Sequence, residues 1–158
     1  MKMFPDLNLP AYPLRIQRQG EAFDVFDPAR KKFVSLTPEE WVRQHVLMYL
    51  NRDRGCPLTL MSIEGQIVVN GQPKRYDMAV FRNNGSPLLV VECKAPEVEI
   101  TQDVFDQIAV YNMQLGASFL LVSNGLTHHC CRMDHAARAF RFLDAVPSYE
   151  EMIQSQNE

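Results

Sequence analysis

Long hydrophobic runs are missing from this chain of 158 residues. Its apolar runs are short, such as Leu88-Leu89-Val90-Val91 and Phe119-Leu120-Leu121-Val122, far short of the ~18 apolar residues a membrane span needs. No membrane partner is therefore expected. The first residues, Met1-Lys2-Met3-Phe4-Pro5-Asp6, carry no apolar segment of the secretory kind. Cysteine is sparse. Cys130 and Cys131 are adjacent, and Cys93 sits inside a strand-like run. That pattern excludes a disulfide framework and leads us to expect reduced thiols in a cytoplasmic protein. An excess of positive charge is also lacking. Sixteen Lys and Arg stand against nineteen Asp and Glu, for a net charge of −3. Contact with nucleic acid would have to come from a local patch or with a partner's help. A glycine-rich phosphate loop and a nucleophile elbow are absent too, which disfavours a small-molecule α/β enzyme.

What is present reads as one domain over 1–158, with a core of about 35–145. Residues 1–20, rich in proline and polar groups, are expected to pack loosely or form an arm. Residues 23–34 suggest a small hairpin whose turn holds the solvated Arg30-Lys31-Lys32. Thr37-Pro38-Glu39-Glu40 opens a helix that runs to about Arg52, with Glu40 closing a capping box and Trp41 anchoring the core beneath it. Three strands follow over 59–69, 75–82 and 88–94. Asn70-Gly71 and Asn84-Gly85 separate them, the strongest short-range hairpin signal. Thr101 caps a second helix bearing Val104, Ile108, Tyr111 and Leu115 on one face, and Gly116 stops it. Residues 119–123 form a buried strand, expected to lie parallel to the third because a helix links them. Residues 129–133 pair back, and Ser148-Tyr149-Glu150-Glu151 starts a short last helix. The expected fold is a mixed α/β sheet.

The turns fix a register. With Asn84-Gly85 as a two-residue loop, facing residue numbers sum to 169 and Asp77 lies opposite Glu92. With Asn70-Gly71 as the other loop they sum to 141, and Glu64 lies opposite Asp77. Three carboxylates then share one face, about 5 Å apart, while Arg75 faces Lys94. Like charges opposed across a sheet are destabilising. A divalent cation between the acids and a phosphate near the bases would account for them.

The ordered set Asp77, Glu92-Cys93-Lys94, then Gln107 and Tyr111 one helical turn apart, resembles the PD-(D/E)xK nuclease superfamily. In particular it resembles the N-terminal domain of type I restriction enzyme R subunits. Lys74-Arg75-Tyr76-Asp77, Leu89-Val90-Val91-Glu92-Cys93-Lys94-Ala95-Pro96, Gln107-Ile108, Tyr111-Asn112 and Ser123-Asn124-Gly125 carry the likeness, over about 35–145. It implies a restriction-endonuclease-like sheet: an antiparallel three-strand meander, a crossover helix and a parallel fourth strand. It also implies Mg²⁺-dependent hydrolysis of DNA phosphodiesters, with Mn²⁺ as a substitute. Asp77, Glu92 and Lys94 would be catalytic. Asp77, Glu92 and the Cys93 backbone carbonyl would hold the metal, joined by Glu64 or Glu40. Gln107, Tyr111, Arg75 and Lys74 would contact DNA or brace the site, and Arg82 would add local positive charge.

Plainer readings stand beside these. Glu40 serves as a cap, Glu64 as a solvated strand residue, Tyr111 as core, and Glu92 with Lys94 as an edge-strand ion pair. His128-His129-Cys130-Cys131 with His135 lacks the spacing of a zinc site. Met113, Met133, Phe140 and Phe142 are read as core. R subunits carry ATP-driven motor domains, and no G-x-x-x-x-G-K-[ST] loop occurs here. A motor or specificity subunit is therefore expected from another chain. The alternative function is a non-cutting DNA-binding or assembly module.

Overall fold

The computed structural model describes residues 3–155; residues 1, 2 and 156–158, within the expected domain of 1–158, lie outside the described residues. Two sheets organise the chain. The smaller has three strands, β1 (Ile16–Gln19), β2 (Ala22–Asp27) and β3 (Lys32–Ser35), antiparallel in that order. The expected hairpin is thus a three-stranded sheet, because β1 adds an outer strand to it. The larger has six, ordered β4 (Met61–Val69), β5 (Gln72–Phe81), β6 (Pro87–Cys93), β7 (Phe119–Ser123), β8 (His128–Asp134) and β9 (Ala139–Phe142). Three helices accompany them: α1 (Pro38–Arg52), α2 (Gln102–Met113) and α3 (Tyr149–Gln154).

Every pairing in the large sheet is antiparallel except β6 with β7, which α2 connects as a crossover. This is the mixed, restriction-endonuclease-like α/β sheet expected from the sequence. The near-continuous apolar composition of β6 and β7 follows from burial on both faces. On one face α1 sends Val42, Val46, Leu47 and Leu50 against Met78, Val80, Leu89, Val91 and Leu121. On the other, Phe105 and Ala109 of α2 pack against Ala79, Val90, Leu120 and Val122. Fully burying one such large side chain contributes ~1.5–3 kcal/mol, so the two clusters clamp the sheet from both sides.

The turns are instructive. Asn70 and Gly71 both take positive φ, and β4–β5 keeps a register sum of 141, as in Ile63 with Met78 and Gly65 with Tyr76. The β5–β6 turn differs from expectation. Its loop is Asn83-Asn84-Gly85, closed by Arg82 N–H donating to the Ser86 carbonyl at 2.9 Å. Gly85 alone is left-handed there, at φ 87°, as three-residue hairpins prefer. Phe81 then pairs with Pro87, one residue out of step, and a bulge restores Val80 with Leu89. Leu88 is the extra residue, and it falls in the same cluster as Leu89. The sum of 169 therefore reaches the site end of the hairpin, through a longer loop and a compensating bulge.

Other expectations are corrected. The segment after α1 begins with a 3₁₀ turn at Leu58–Leu60 rather than a strand. The N-terminal arm is packed, not loose: Asn8 N–H donates to the Gly125 carbonyl at 2.7 Å, and the Trp41 indole donates to the Pro5 carbonyl at 3.1 Å. Trp41, stacked on Phe4 with centroids 5.4 Å apart, fastens the arm on the outside of α1 instead of anchoring the core. Phe142 is exposed on β9, although it touches the Phe105 ring. Arg82 braces the distal turn, donating to the Pro87 carbonyl at 2.7 Å and Ser118 Oγ at 2.8 Å, so its charge lies away from the acids.

Candidate functional site

Where β5 leaves β6, the sheet opens. The last pair on that side is Met78 with Val91. Beyond it, Asp77 does not continue the ladder; its Oδ2 accepts the Cys93 backbone N–H at 2.6 Å. A β-strand keeps residues two apart on one face. Here Tyr76 belongs to the α2-side cluster and Met78 to the α1-side cluster, so the strand rolls over at Asp77. Directly across, Glu64 has φ 52°, a left-handed conformation that costs a non-glycine residue energy and marks the same bend.

The roll-over decides which acids meet. Asp77, Glu92 and Cys93 line one open cavity, together with Glu39 from the first turn of α1, Arg75 and Tyr76 from β5, and Gln107, Ile108, Tyr111 and Asn112 from α2. The Asp77 side chain is 10% exposed. Glu92 is 27% and Lys94 32% exposed, with Lys94 Nζ 3.4 Å from Glu92 Oε1. Glu64 stands aside, 57% exposed, 3.5 Å from guanidinium nitrogens of both Arg30 and Arg43. Of the expected row of three carboxylates, the structure brings two together.

Burial pushes the Asp77 carboxyl above its usual range, although Arg43 and the Cys93 N–H pull the other way. Burial also raises the Glu92 carboxyl, the neighbouring Asp77 charge adds to that, and Lys94 opposes it. The charge on Glu39 raises both further. Asp77, Glu92 and Glu39 thus repel one another at one opening, and Arg43 and Lys94 offset part of that repulsion.

One functional neighbour was not anticipated. Arg43 Nε contacts Asp77 Oδ1 at 2.7 Å, Nη1 contacts Glu40 Oε1 at 2.7 Å, and Nη2 contacts Glu39 Oε2 at 2.9 Å. Glu40 also accepts from Arg30 at 3.0 Å and from Gln44 at 3.1 Å. It is therefore part of a buried ionic network and only half of a capping box: Thr37 Oγ1 accepts the Glu40 N–H at 3.1 Å, while the Glu40 carboxylate faces the guanidinia. Arg30 belongs to the same network, 2.7 Å from the buried Asp27, and is not a solvated turn residue. A signal for Arg43 existed in the sequence. It falls at i, i+4, i+7 with Leu47 and Leu50, so it lies on the buried stripe of α1, where a cation needs a partner.

Gln107 is exposed at the cavity wall. Tyr111 is 41% exposed rather than core, and its hydroxyl donates to the Arg75 carbonyl at 2.9 Å, tying α2 to the β5 hairpin. Arg75 lines the cavity without facing Lys94 in the ladder, and Lys74 pairs with Ile67 farther out. His128 is held by Ser123 Oγ at 2.7 Å and the Asn8 carbonyl at 2.8 Å, and His135 sits 2.6 Å from the Ala117 carbonyl. Cys130 and Cys131 enter opposite core clusters. Among the described residues, no three His, Cys, Asp or Glu side chains form a metal-ligating group.

Residues 38–147 match the family model of the type I restriction enzyme R protein N terminus. Among solved structures, a fragment described as the HsdR subunit of a type I restriction enzyme from Vibrio vulnificus is similar, at 21% identity and a TM-score of 0.55. The likeness covers 77% of this chain and 25% of that one, so the chain spans about a quarter of that relative. No curated protein matches.

Proposed function

The chain belongs to the family of type I restriction enzyme R protein N termini, and from that premise we propose that it is a divalent-metal-dependent nuclease domain that hydrolyses DNA phosphodiester bonds. The observation that carries this reading is the convergence of the Asp77 and Glu92 carboxylates on one open cavity, with Lys94 3.4 Å from Glu92.

The donor chemistry fits a hard cation. Mg²⁺ is commonly bound by one or two carboxylates completed by water and substrate phosphate, not by a cage of protein ligands, so two converging acids suffice. Asp77, Glu92 and the Cys93 carbonyl would hold it, with Mn²⁺ as a substitute. Neither Glu64 nor Glu40 lines the cavity, and Glu39 is the α1 acid that does. A bound Mg²⁺ supplies charge neutralisation at the phosphate and a more acidic water. Lys94 adds positive charge where the phosphate would gain negative charge. Cys93 N–H and Arg43 hold Asp77 in place. Gln107 and Arg75 at the walls would meet the DNA backbone, Lys74 extends that charge outward, and Tyr111 steadies the hairpin. Motor and specificity functions would be supplied by other chains.

A second reading has its own support. Asp77 is already satisfied by Arg43 and Cys93, as a non-cutting DNA-binding or assembly module would allow. One experiment separates the two. The purified protein is incubated with plasmid and with single-stranded DNA, with Mg²⁺ or Mn²⁺, beside Asp77→Ala and Lys94→Ala. Metal-dependent nicking that both variants lose supports the nuclease. DNA binding without nicking and without Mn²⁺ uptake by calorimetry supports the second reading, and uptake that Asp77→Ala abolishes, without nicking, leaves a metal site that awaits a partner.

A further inference from the structure

The outer face of α2 continues beyond the cavity. Gln107, Val110, Tyr111 and Gln114 are all exposed and lie at helical spacing, so they form one stripe. The helix's acids, Asp103 and Asp106, are confined to its first turns, and Asp106 is engaged by Gln102 at 2.8 Å. From Gln107 onward the stripe carries no charge. At its far end Val110 and Gln114 open into a surface hollow of about 540 Å³ whose other walls include His135 and Arg138. No acid lines this hollow. Asp134, four residues before Arg138 in the chain, accepts the Ala137 N–H on its Oδ1 at 3.0 Å. Arg138 stands at the β8–β9 turn with φ 53°, exposed, and has no hydrogen-bond or ion-pair partner among the described residues. In a chain of net charge −3, this is a cation held in the open.

We propose that duplex DNA lies along this stripe, with its backbone crossing α2 from the cavity and a phosphate meeting Arg138. This rests on the nuclease reading and assigns that site a binding track. From Gln107 to Gln114 the stripe runs ~10 Å at ~1.5 Å per residue, roughly three nucleotide steps at ~3.4 Å each. Arg138 is thus placed to fix DNA a few nucleotides from the point of cutting. An acid-free stripe ending in a cation complements a polyanion.

The test measures binding of a short fluorescein-labelled duplex by anisotropy, in Mg²⁺ and at several salt concentrations. Full-length protein carrying Lys94→Ala serves as the parent, so that the DNA stays intact. Arg138→Ala should lower the slope of log K against log salt by about 0.9, the value of one phosphate contact. Arg138→Glu and Gln114→Glu should weaken binding about tenfold. Lys31→Glu, an equal charge change at the exposed β2–β3 turn, should leave it within twofold. In Lys94-bearing protein, Arg138→Ala should raise KM for cutting and spare kcat. Unchanged affinity and slope in the Arg138 and Gln114 variants, or an equal loss with Lys31→Glu, overturns the track. If cutting persists in that case, the nuclease reading stands. Lys94-bearing protein that never cuts, beside a parent that binds, still tests the track while removing the nuclease. If the parent does not bind and Lys94-bearing protein neither binds nor cuts, both fall.

Discussion

The Arg43 guanidinium and the Asp77 carboxylate are joined at 2.7 Å in an almost water-free setting, with side-chain exposures of 5% and 10%. Through Glu40 and Arg30, Arg43 also connects the large sheet to the small one. Removing one member of a buried ion pair leaves the other charge uncompensated. Arg43→Met should therefore cost ~3–5 kcal/mol in urea denaturation. A loss under ~1 kcal/mol would show that water reaches the pair.

His45 gives a pH signature. It is buried on α1, its Nδ1 2.8 Å from the Trp41 carbonyl. Burial lowers its pKa from the ordinary histidine value. As pH falls below ~6.5, the unfolded chain takes up a proton that folded His45 resists, so stability is lost toward acid. The raised carboxyls of Asp77 and Glu92 work in the opposite direction, and the comparison must therefore be differential. Between pH 7.5 and 5.5 the urea midpoint of the native protein should fall more than that of His45→Asn. Equal slopes would remove His45 from the account.

Gly65 and Tyr76 form a packed cross-strand pair. A Cβ on Gly65 would come within 2.6 Å of Tyr76 Cζ, and Tyr76 is fixed by its hydroxyl's bond to Ser62 Oγ at 2.7 Å. Gly65→Ala should destabilise by ~1–3 kcal/mol, as overpacking does. Combined with Tyr76→Ala its effect should largely vanish, because the two changes share one cause. Additive losses in the double-mutant cycle would contradict this.

All four cysteines are buried, and burial pushes the Cys56, Cys130 and Cys131 thiols up to about 12. Cys93, fully enclosed beside Asp77, is raised as well. The thiolate is the reactive form. A thiol reagent at pH 8 should therefore leave the native protein unlabelled and titrate every cysteine in denaturant. Rapid native labelling of Cys93 would mean that the cavity floor opens.

The legible parts of this fold were those fixed by local chemistry. Asn70-Gly71, Thr101 and Ser148 each impose a geometry that neighbours do not change, and the apolar run before Glu92 announces a strand buried on both sides. The Asn84-Gly85 turn shows the limit. The loop is one residue longer than the dipeptide implies, yet the bulge at Leu88 restores the expected register. The site divides in the same way. Asp77 and Glu92 meet because strand pairing brings them together. Glu64 departs because of a single left-handed residue, which no periodicity reports. Arg43 and Asp27 carry no role in the sequence reading, and Arg30 reads there as a solvated turn residue, because their meaning lies in contacts between elements far apart in sequence. β1 and β9 were missed because they are short, mostly exposed edge strands with little apolar alternation.

The family match begins at residue 38, inside the reach of the Asp27–Arg30–Glu40–Arg43 chain of charges. Trimming the protein to that matched span would delete Asp27 and Arg30, strand Gln44 and Glu40 at a freshly cut surface, and loosen the guanidinium that steadies Asp77. The leading three-stranded sheet thus works as a keystone for a pocket to which it contributes no wall, and sequence similarity alone would discard it.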